Sequence, residues 1–499
     1  MQLHGSELKK GVVIERGASP WQIFQQNEQG FAVIRLSGTA HRVRQSFELP
    51  LEFSAVPEGS ITVKARIALE SSGESVCPWT VCRTDADGRW SVTFDRVPAG
   101  GLYRVETYME YQGWDGLSST RGDMIHNIGV GDVFVVAGQS NAAGRAKNPV
   151  EDAPELGVHL LRDSGVWDLA THPLGETTGS VHQGHFENHN PGHTPWLHFA
   201  KLLKRELGYP IGIVMSADGG APLRDGEVIE AAGLRVVVRA YGGAPLRWWN
   251  PEENGSLYFN MLEQLADHEL HPKAMLWYQG EAEGYENAAE TYLARFTQFV
   301  GALRRDLNQP ELPVITVQLN RCMTPCDTAL DRQWGMVRQA QVAAARSIPG
   351  VYVLPSSDVA LYDFIHNSAQ GNLVIGERCA RCALAELYGK PLMWQAPEVC
   401  RAERKAPDAI VLHFSRICNW LNPFDVAAAL LPFEAEDAQG LLRCERYETG
   451  NDTLTLYFAR PLEHPAVLHG VWRANPGPCT PCDCMRMPML SFYNLPIEE

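Results

Sequence analysis

A chain of 499 residues is too long for one ordinary core and implies two or three domains, with 45% hydrophobic residues to fill them. A formal charge of −16 excludes a polyanion such as nucleic acid as a natural partner. No stretch offers the ~18 apolar residues a spanning helix needs, and Met1 to Lys10 lacks the apolar core of a secretion signal, so no membrane partner is expected and the chain reads as cytoplasmic.

Residues 1–125 read as an N-terminal β-sandwich domain. Short runs alternate apolar and polar residues at Phe31–Leu36, Ile61–Ile67, Trp90–Phe94 and Tyr103–Thr107, with turn residues such as Pro98-Ala99-Gly100-Gly101 between them. From Gly131 the rhythm changes to strand, helix, strand. Apolar strands are expected near 132–137, 211–215, 273–278, 313–319 and 350–354, and helical periodicity appears near 195–208, 257–268, 288–307, 331–347 and 370–387. Five strands alternating with covering helices predict an α/β unit over 126–394, a doubly wound five-stranded parallel sheet. Residues 395–499 return to short strands, for example Ala409–Phe414 and Thr453–Phe458, and read as a C-terminal β-rich domain.

Ligands of such parallel sheets bind outside the carboxyl ends of the strands, and three motifs fall there or on the following loops. The run Val133–Ala137 stops at Gly138 and delivers Gln139-Ser140-Asn141. The third expected strand ends in Trp277-Tyr278-Gln279-Gly280-Glu281. After the last strand comes Asp363-Phe364-Ile365-His366, an acid and an imidazole three residues apart. A serine at a strand end, a histidine and an acid are the parts of a nucleophile, its base and the group that orients the base. Taken singly, Ser140 could merely cap the next helix, and Asp358 competes with Asp363 as the acid.

Together these blocks, with an intervening Gly-Gly, resemble the SGNH (GDSL-like) hydrolase superfamily and its sialate O-acetylesterase branch, which reads GQSN, GG, WYQGE and DxxH in this order. The resemblance implies a flavodoxin-like catalytic sheet flanked by β-domains, and a serine esterase that removes acetyl groups from a sugar. It implies Ser140 as nucleophile, His366 as base and Asp363 as orienter. The oxyanion donors would be the Ser140 amide, a glycine of the Gly-Gly block and the Gln279 side chain. Asn141, Arg145 and Glu281 are candidates for substrate contact, Arg145 either toward a carboxylate such as that of sialic acid or as a solvated surface arginine, and Glu281 favoured as a buttress of its loop over acid-base work. Acetylated xylan or another glycan is the rival substrate, and an inactive carbohydrate-binding protein is the rival of another class. No cofactor and no metal are implied. Whether copies associate as a homo-oligomer stays open.

Three features stand outside these motifs. The block Gly219–Arg224 recurs as Gly242–Arg247, a local duplication in which either Gly220 or Gly243 could supply the oxyanion donor, with Gly220 favoured because it directly follows a strand. His182, His185, His189, His193 and His198 crowd one loop without the spacing of a metal motif, and read as a mobile polar loop near the mouth of the pocket. Among twelve cysteines, expected reduced, Cys379 and Cys382 sit in a helical pattern, where a core position is expected. Cys479, Cys482 and Cys484 cluster near the carboxyl end without a second pair to complete a zinc site.

Overall fold

In a computed structural model the described residues are 11–41, 61–113, 116–182, 191–224, 228–231, 234–237, 248–253, 255–285, 287–324, 327–422, 427, 430–477 and 479–499. The N-terminal strands are β1 (Gly11–Arg16), β2 (Ile23–Gln25), β3 (Phe31–His41), β4 (Thr62–Leu69), β5 (Ser75–Val81), β6 (Arg83–Thr84), β7 (Arg89–Pro98), β8 (Gly100–Gly113) and β9 (Gly116–Gly138). In β3 the period of two is visible: Ala32, Ile34, Leu36 and Ala40 are buried, while Val33 and Arg35 face solvent. Strands β1, β3, β7 and β6 form one sheet; β4, β5, β8 and the first half of β9 belong to another. The two share a core in which Ile34, Trp90 and Phe94 meet Val63, Ile67, Val105 and Met109.

Strand β9 does not stop with that core. Its start pairs with β8, and from Asp132 to Gly138 it is the centre of the next sheet, so the boundary expected between residues 125 and 126 lies inside one strand. The chain continues through α1 (Ser140–Ala143), β10 (Val158–Leu161), β11 (Trp167–Leu169), α2 (Trp196–Leu207), β12 (Ile211–Met215), β13 (Val228–Ala231), β14 (Leu234–Val237), α3 (Ser256–Asp267), β15 (Ala274–Tyr278), α4 (Glu281–Tyr285), α5 (Tyr292–Asp306), β16 (Val314–Val317), α6 (Thr328–Ser347), β17 (Val351–Leu354) and α7 (Ala369–Tyr388). The five expected strands lie side by side in the order β12-β9-β15-β16-β17, each pair parallel.

The expectation of a five-stranded parallel sheet needs correction. Beyond β12 the sheet gains β10, parallel, and then β11, antiparallel, and through β9 it is continuous with N-terminal strands, so it is a larger mixed sheet. The four residues of β10, three apolar and one histidine, inside a long connection are too short a run for periodicity to register. Alternation along β9 divides the helices between the two faces. Val133, Val135 and Ala137 pack with Met261 of α3, Phe299 of α5 and Val337 of α6. Phe134 and Val136 pack with Phe199 of α2 and Ile375 and Cys379 of α7. Cys379 and Cys382 are both fully buried, and burial pushes the Cys379 thiol up to about 12.

The last strands, β18 (Glu398–Ala406), β19 (Ala409–Ser415), β20 (Phe433–Asp437), β21 (Gly440–Thr449), β22 (Thr453–Phe458), β23 (Val467–Gly470) and β24 (Phe492–Glu498), close a separate seven-stranded barrel. Arg338 of α6 fastens it to the central sheet. Fully buried, its guanidinium donates to the carbonyls of Leu319 and Asn320 on one side and of Val471 and Arg473 on the other. No helix among the described residues is long and apolar enough to cross a membrane.

Candidate active site

Gly138 is where β9 can turn. Its φ is +134°, and a Cβ there would lie 2.2 Å from the Tyr278 carbonyl oxygen of the adjacent strand, so only glycine lets the chain pass this close. Gln139 follows in extended backbone, and Ser140 opens the four-residue α1. Gln139, not Ser140, holds the cap position, and no side chain caps the helix, which removes the capping role as an account of the serine. The Ser140 N–H makes no hydrogen bond among the described residues.

The acid and the imidazole reach it from the loop after β17. Tyr362 N–H donates to the His366 carbonyl at 2.7 Å, and Leu361 bridges Asn367, folding residues 361–367 into a tight hairpin. Asp363 closes its tip: Oδ1 accepts from the N–H groups of Ile365 at 2.9 Å and His366 at 2.8 Å. Its other oxygen lies 2.7 Å from His366 Nδ1, and His366 Nε2 lies 2.9 Å from Ser140 Oγ. A hydrogen on Nδ1 is the arrangement the carboxylate selects, which leaves Nε2 a lone pair toward the serine. Burial works against charge on Asp363, but the hydrogen bonds from His366 and the two amides outweigh it and hold the carboxyl below its usual range. The competing Asp358 is engaged elsewhere, paired with Arg378 through both oxygens at 2.8 and 2.7 Å.

The residues on either side of Ser140 stitch three loops together. Gln139 Oε1 accepts from the N–H groups of Gly280 at 3.3 Å and Ala282 at 3.2 Å, gripping the start of α4. Asn141 Nδ2 donates to Glu281 Oε1 at 2.6 Å and to the Ile365 carbonyl at 3.3 Å, while its Oδ1 accepts from Asn367 N–H at 3.0 Å. Asn141 and Glu281 are 3% and 2% exposed, so Asn141 is a structural tie beneath the site rather than a substrate contact, and Glu281 sits where the buttressing role favoured for it, not substrate contact, would place it. Burial, with the nearby Glu283 adding to it and the Asn141 amide opposing it, raises the Glu281 carboxyl to about 7.

Gln279 is fully buried, and its Nε2 donates to Glu283, to Gln139 Oε1 at 3.2 Å and to the Ala221 carbonyl at 3.4 Å. Those bonds leave its amide nitrogen no hydrogen for an oxyanion in this arrangement, a departure from the role expected of it. Glu283 in turn accepts from Leu223 N–H at 2.5 Å, tying α4 to the first Gly-Gly block. That block sits beside the serine by register. Met215 pairs with Val136, and Asp218 N–H donates to the Gly138 carbonyl at 3.2 Å. Gly220 then occupies the third position of a turn with φ +69°, with open space where a Cβ would point. Gly243 lies outside the described residues, and the chain between the copies includes the antiparallel hairpin β13-β14. Arg145 is half-buried, with Nη1 donating to the Gly144 carbonyl at 2.8 Å.

Of the histidine-rich loop, His185 and His189 lie outside the described residues, and His193 is not a mobile polar group but a buried one. With His172 it shares one oxygen of the buried Asp152, at 3.1 and 3.0 Å, the two rings stacked with centroids 4.0 Å apart. The three ligand atoms lie within 4.8 Å of one another, as a metal would require. The other Asp152 oxygen is 2.9 Å from Lys201 Nζ. The ammonium already balances the carboxylate, so the cluster is complete as a charge-neutral strut. It supports the far side of α1, since His193 N–H donates to the Ala146 carbonyl at 2.8 Å. No spacing in the sequence joins residues 152, 172 and 193.

The sequence model of the family described as carbohydrate esterase, sialic acid-specific acetylesterase, matches residues 130–230 and 226–385. The two stretches meet between the copies of the duplicated block. A probable carbohydrate esterase of Arabidopsis thaliana is 28% identical over 208 residues, covering 38% of this chain and 68% of that protein. The sialate O-acetylesterase of Homo sapiens is 27% identical over 249 residues, 45% of this chain and 44% of that protein, so the match spans less than half of that relative. Among solved structures, a carbohydrate acetylesterase from Xanthomonas citri aligns over 96% of this chain and 99% of its own with a TM-score of 0.62 and 20% identity, a likeness of fold.

Proposed function

Because the chain belongs to the sialic acid-specific acetylesterase family of carbohydrate esterases, we propose that it is a serine esterase hydrolysing O-acetyl esters of carbohydrates, with O-acetylated sialic acid as the first substrate to test. The observation that carries this reading is the unbroken chain from Asp363 through His366 to Ser140, at 2.7 and 2.9 Å, beside the carboxyl end of β9. Ser140 Oγ bonds to the acetyl carbon while His366 Nε2 takes its proton. The tetrahedral intermediate collapses as His366 returns that proton to the departing sugar oxygen, and water then releases acetate by the same route in reverse. Asp363 keeps the hydrogen on Nδ1 and stabilises the imidazolium. For the oxyanion, the Ser140 N–H and the Gly220 N–H are the donors the geometry favours, neither being spent on another described group.

The sialate O-acetylesterase relative supports sialic acid as the sugar, and acetylated xylan is the alternative the test must separate. Acetate release should be followed on O-acetylated sialic acid, acetylated xylo-oligosaccharides and a simple alkyl acetate. Turnover of one sugar ester well above the alkyl acetate supports the reading and identifies the sugar; hydrolysis of none overturns it.

A further inference from the structure

We infer that Cys418 and Cys484 are a reversible disulfide pair, a redox modification site on the barrel reached by low-molecular-weight disulfides. Two segments far apart in sequence run side by side here. Leu421 and Asp483 form an antiparallel bridge, and Asn422 N–H donates to the Cys482 carbonyl at 2.7 Å. Asp483, 2% exposed, fixes both segments: Oδ2 accepts from Cys418 N–H at 3.2 Å, and Oδ1 accepts from the N–H groups of Met485 at 2.9 Å and Met487 at 3.0 Å. The backbones carrying the two cysteines are therefore held in register by one buried carboxylate, and Cys484 is the residue next to it. The two cysteines face each other across this clasp: Asn419 Nδ2, on the residue after Cys418, donates to Cys484 Sγ at 3.5 Å, and the neighbouring Cys484 holds the Cys418 thiol above its usual range.

Access separates this pair from most of the other cysteines. Cys82, Cys322, Cys379, Cys382, Cys444 and Cys482 are buried, whereas Cys418 and Cys484 are both half-exposed. The exposed Cys400 donates its thiol to the His413 carbonyl instead, with no sulfur partner among the described residues. The neighbouring Cys484 makes the Cys418 thiol harder to ionise, so Cys484 makes the first attack. Its thiolate displaces one thiolate from a small disulfide such as oxidised glutathione, giving a mixed disulfide. Cys418 then loses its proton and displaces the second thiolate. Two protein thiols are oxidised, one small disulfide is reduced, and the two protons end on the two released thiols. Strands β20 to β23 all lie between the two cysteines, so the bond closes a loop containing most of the barrel.

The test uses the full chain, equilibrated with oxidised glutathione, quenched with an alkylating agent and mapped by mass spectrometry. The expected result is one cross-link joining the Cys418 and Cys484 peptides, with loss of two free thiols and reversal by reduced glutathione. Melting of the oxidised chain should rise by a few degrees, and neither the cross-link nor the rise should occur in Cys418→Ser or Cys484→Ser. Cross-linking of Cys484 to Cys479 or Cys482 would overturn the assignment. So would mixed disulfide alone, or an unmodified pair in a sample whose Cys400 has reacted.

Discussion

The side-chain amide of Asn141 brackets the backbone of His366, donating to the carbonyl before it at 3.3 Å and accepting from the N–H after it at 3.0 Å. The residue next to the nucleophile thus sets the distance between nucleophile and base, and Glu281 holds that amide from below at 2.6 Å. Asn141→Ala should lower kcat for acetyl-ester hydrolysis by roughly 10- to 100-fold with little change in KM, because it loosens alignment rather than substrate contact. Steady-state kinetics on a variant shown to be folded checks this. A raised KM at unchanged kcat would return Asn141 to the substrate-contacting role.

The buried Glu281 carboxyl predicts a pH-dependent stability. Its folded value of about 7 lies above that of an exposed glutamate. The folded state therefore binds the proton more tightly, and this contribution is present at low pH and is lost as pH rises from about 4.5 through 7, a change on the order of 3 kcal/mol. Glu281→Gln keeps the acceptor for Asn141 and removes the ionisation. Denaturant unfolding of this variant should show a flatter stability profile across that window than the parent, with the two curves diverging most above pH 7.

Gly220 provides a test of the oxyanion donor. An alanine there meets no neighbouring atom, but must hold φ at +69°. Relief of that strain turns the peptide and its N–H away from the serine. The expected loss is about 100-fold in kcat, as when an oxyanion donor is removed. Unchanged turnover in Gly220→Ala would move the role to the second copy of the block, at Gly243.

The histidine cluster gives a prediction of the opposite kind. Dialysis against a chelator should leave the acetylesterase rate unchanged, since Lys201 already balances Asp152. Asp152→Ala should instead lower stability by about 3 kcal/mol or more, because it strands the Lys201 ammonium and removes the acceptor of two imidazoles. A loss of activity on dialysis that zinc restores would show that the cluster holds a metal.

The reach of the sequence is plain in which residues it found. Ser140, Asp363 and His366 stand at the ends of long apolar runs or in a tight local spacing, and the five long strands announced themselves by composition. The ties made by Gln139, Asn141, Glu281 and Asn367 cross between loops more than a hundred residues apart, and no period or spacing encodes such contacts. For the same reason Asp152 and His172 went unnoticed beside His193. Strands β10 and β11 were missed because three or four residues carry too little alternation to separate from loop. Asn141 looks like a polar site residue in sequence, and only its burial shows it to be a strut.

The central claim is that Ser140 carries the acetyl group between the two halves of the reaction. The most direct measurement is rapid acid quenching of the enzyme during turnover of an activated acetyl ester, followed by peptide mapping. The account predicts one added acetyl group on the peptide bearing Ser140, formed within the first turnover and absent from Ser140→Ala, which should also lose nearly all acetate release. An acetyl group carried on another residue, or an alanine variant that keeps more than about a tenth of the parent rate, would contradict it.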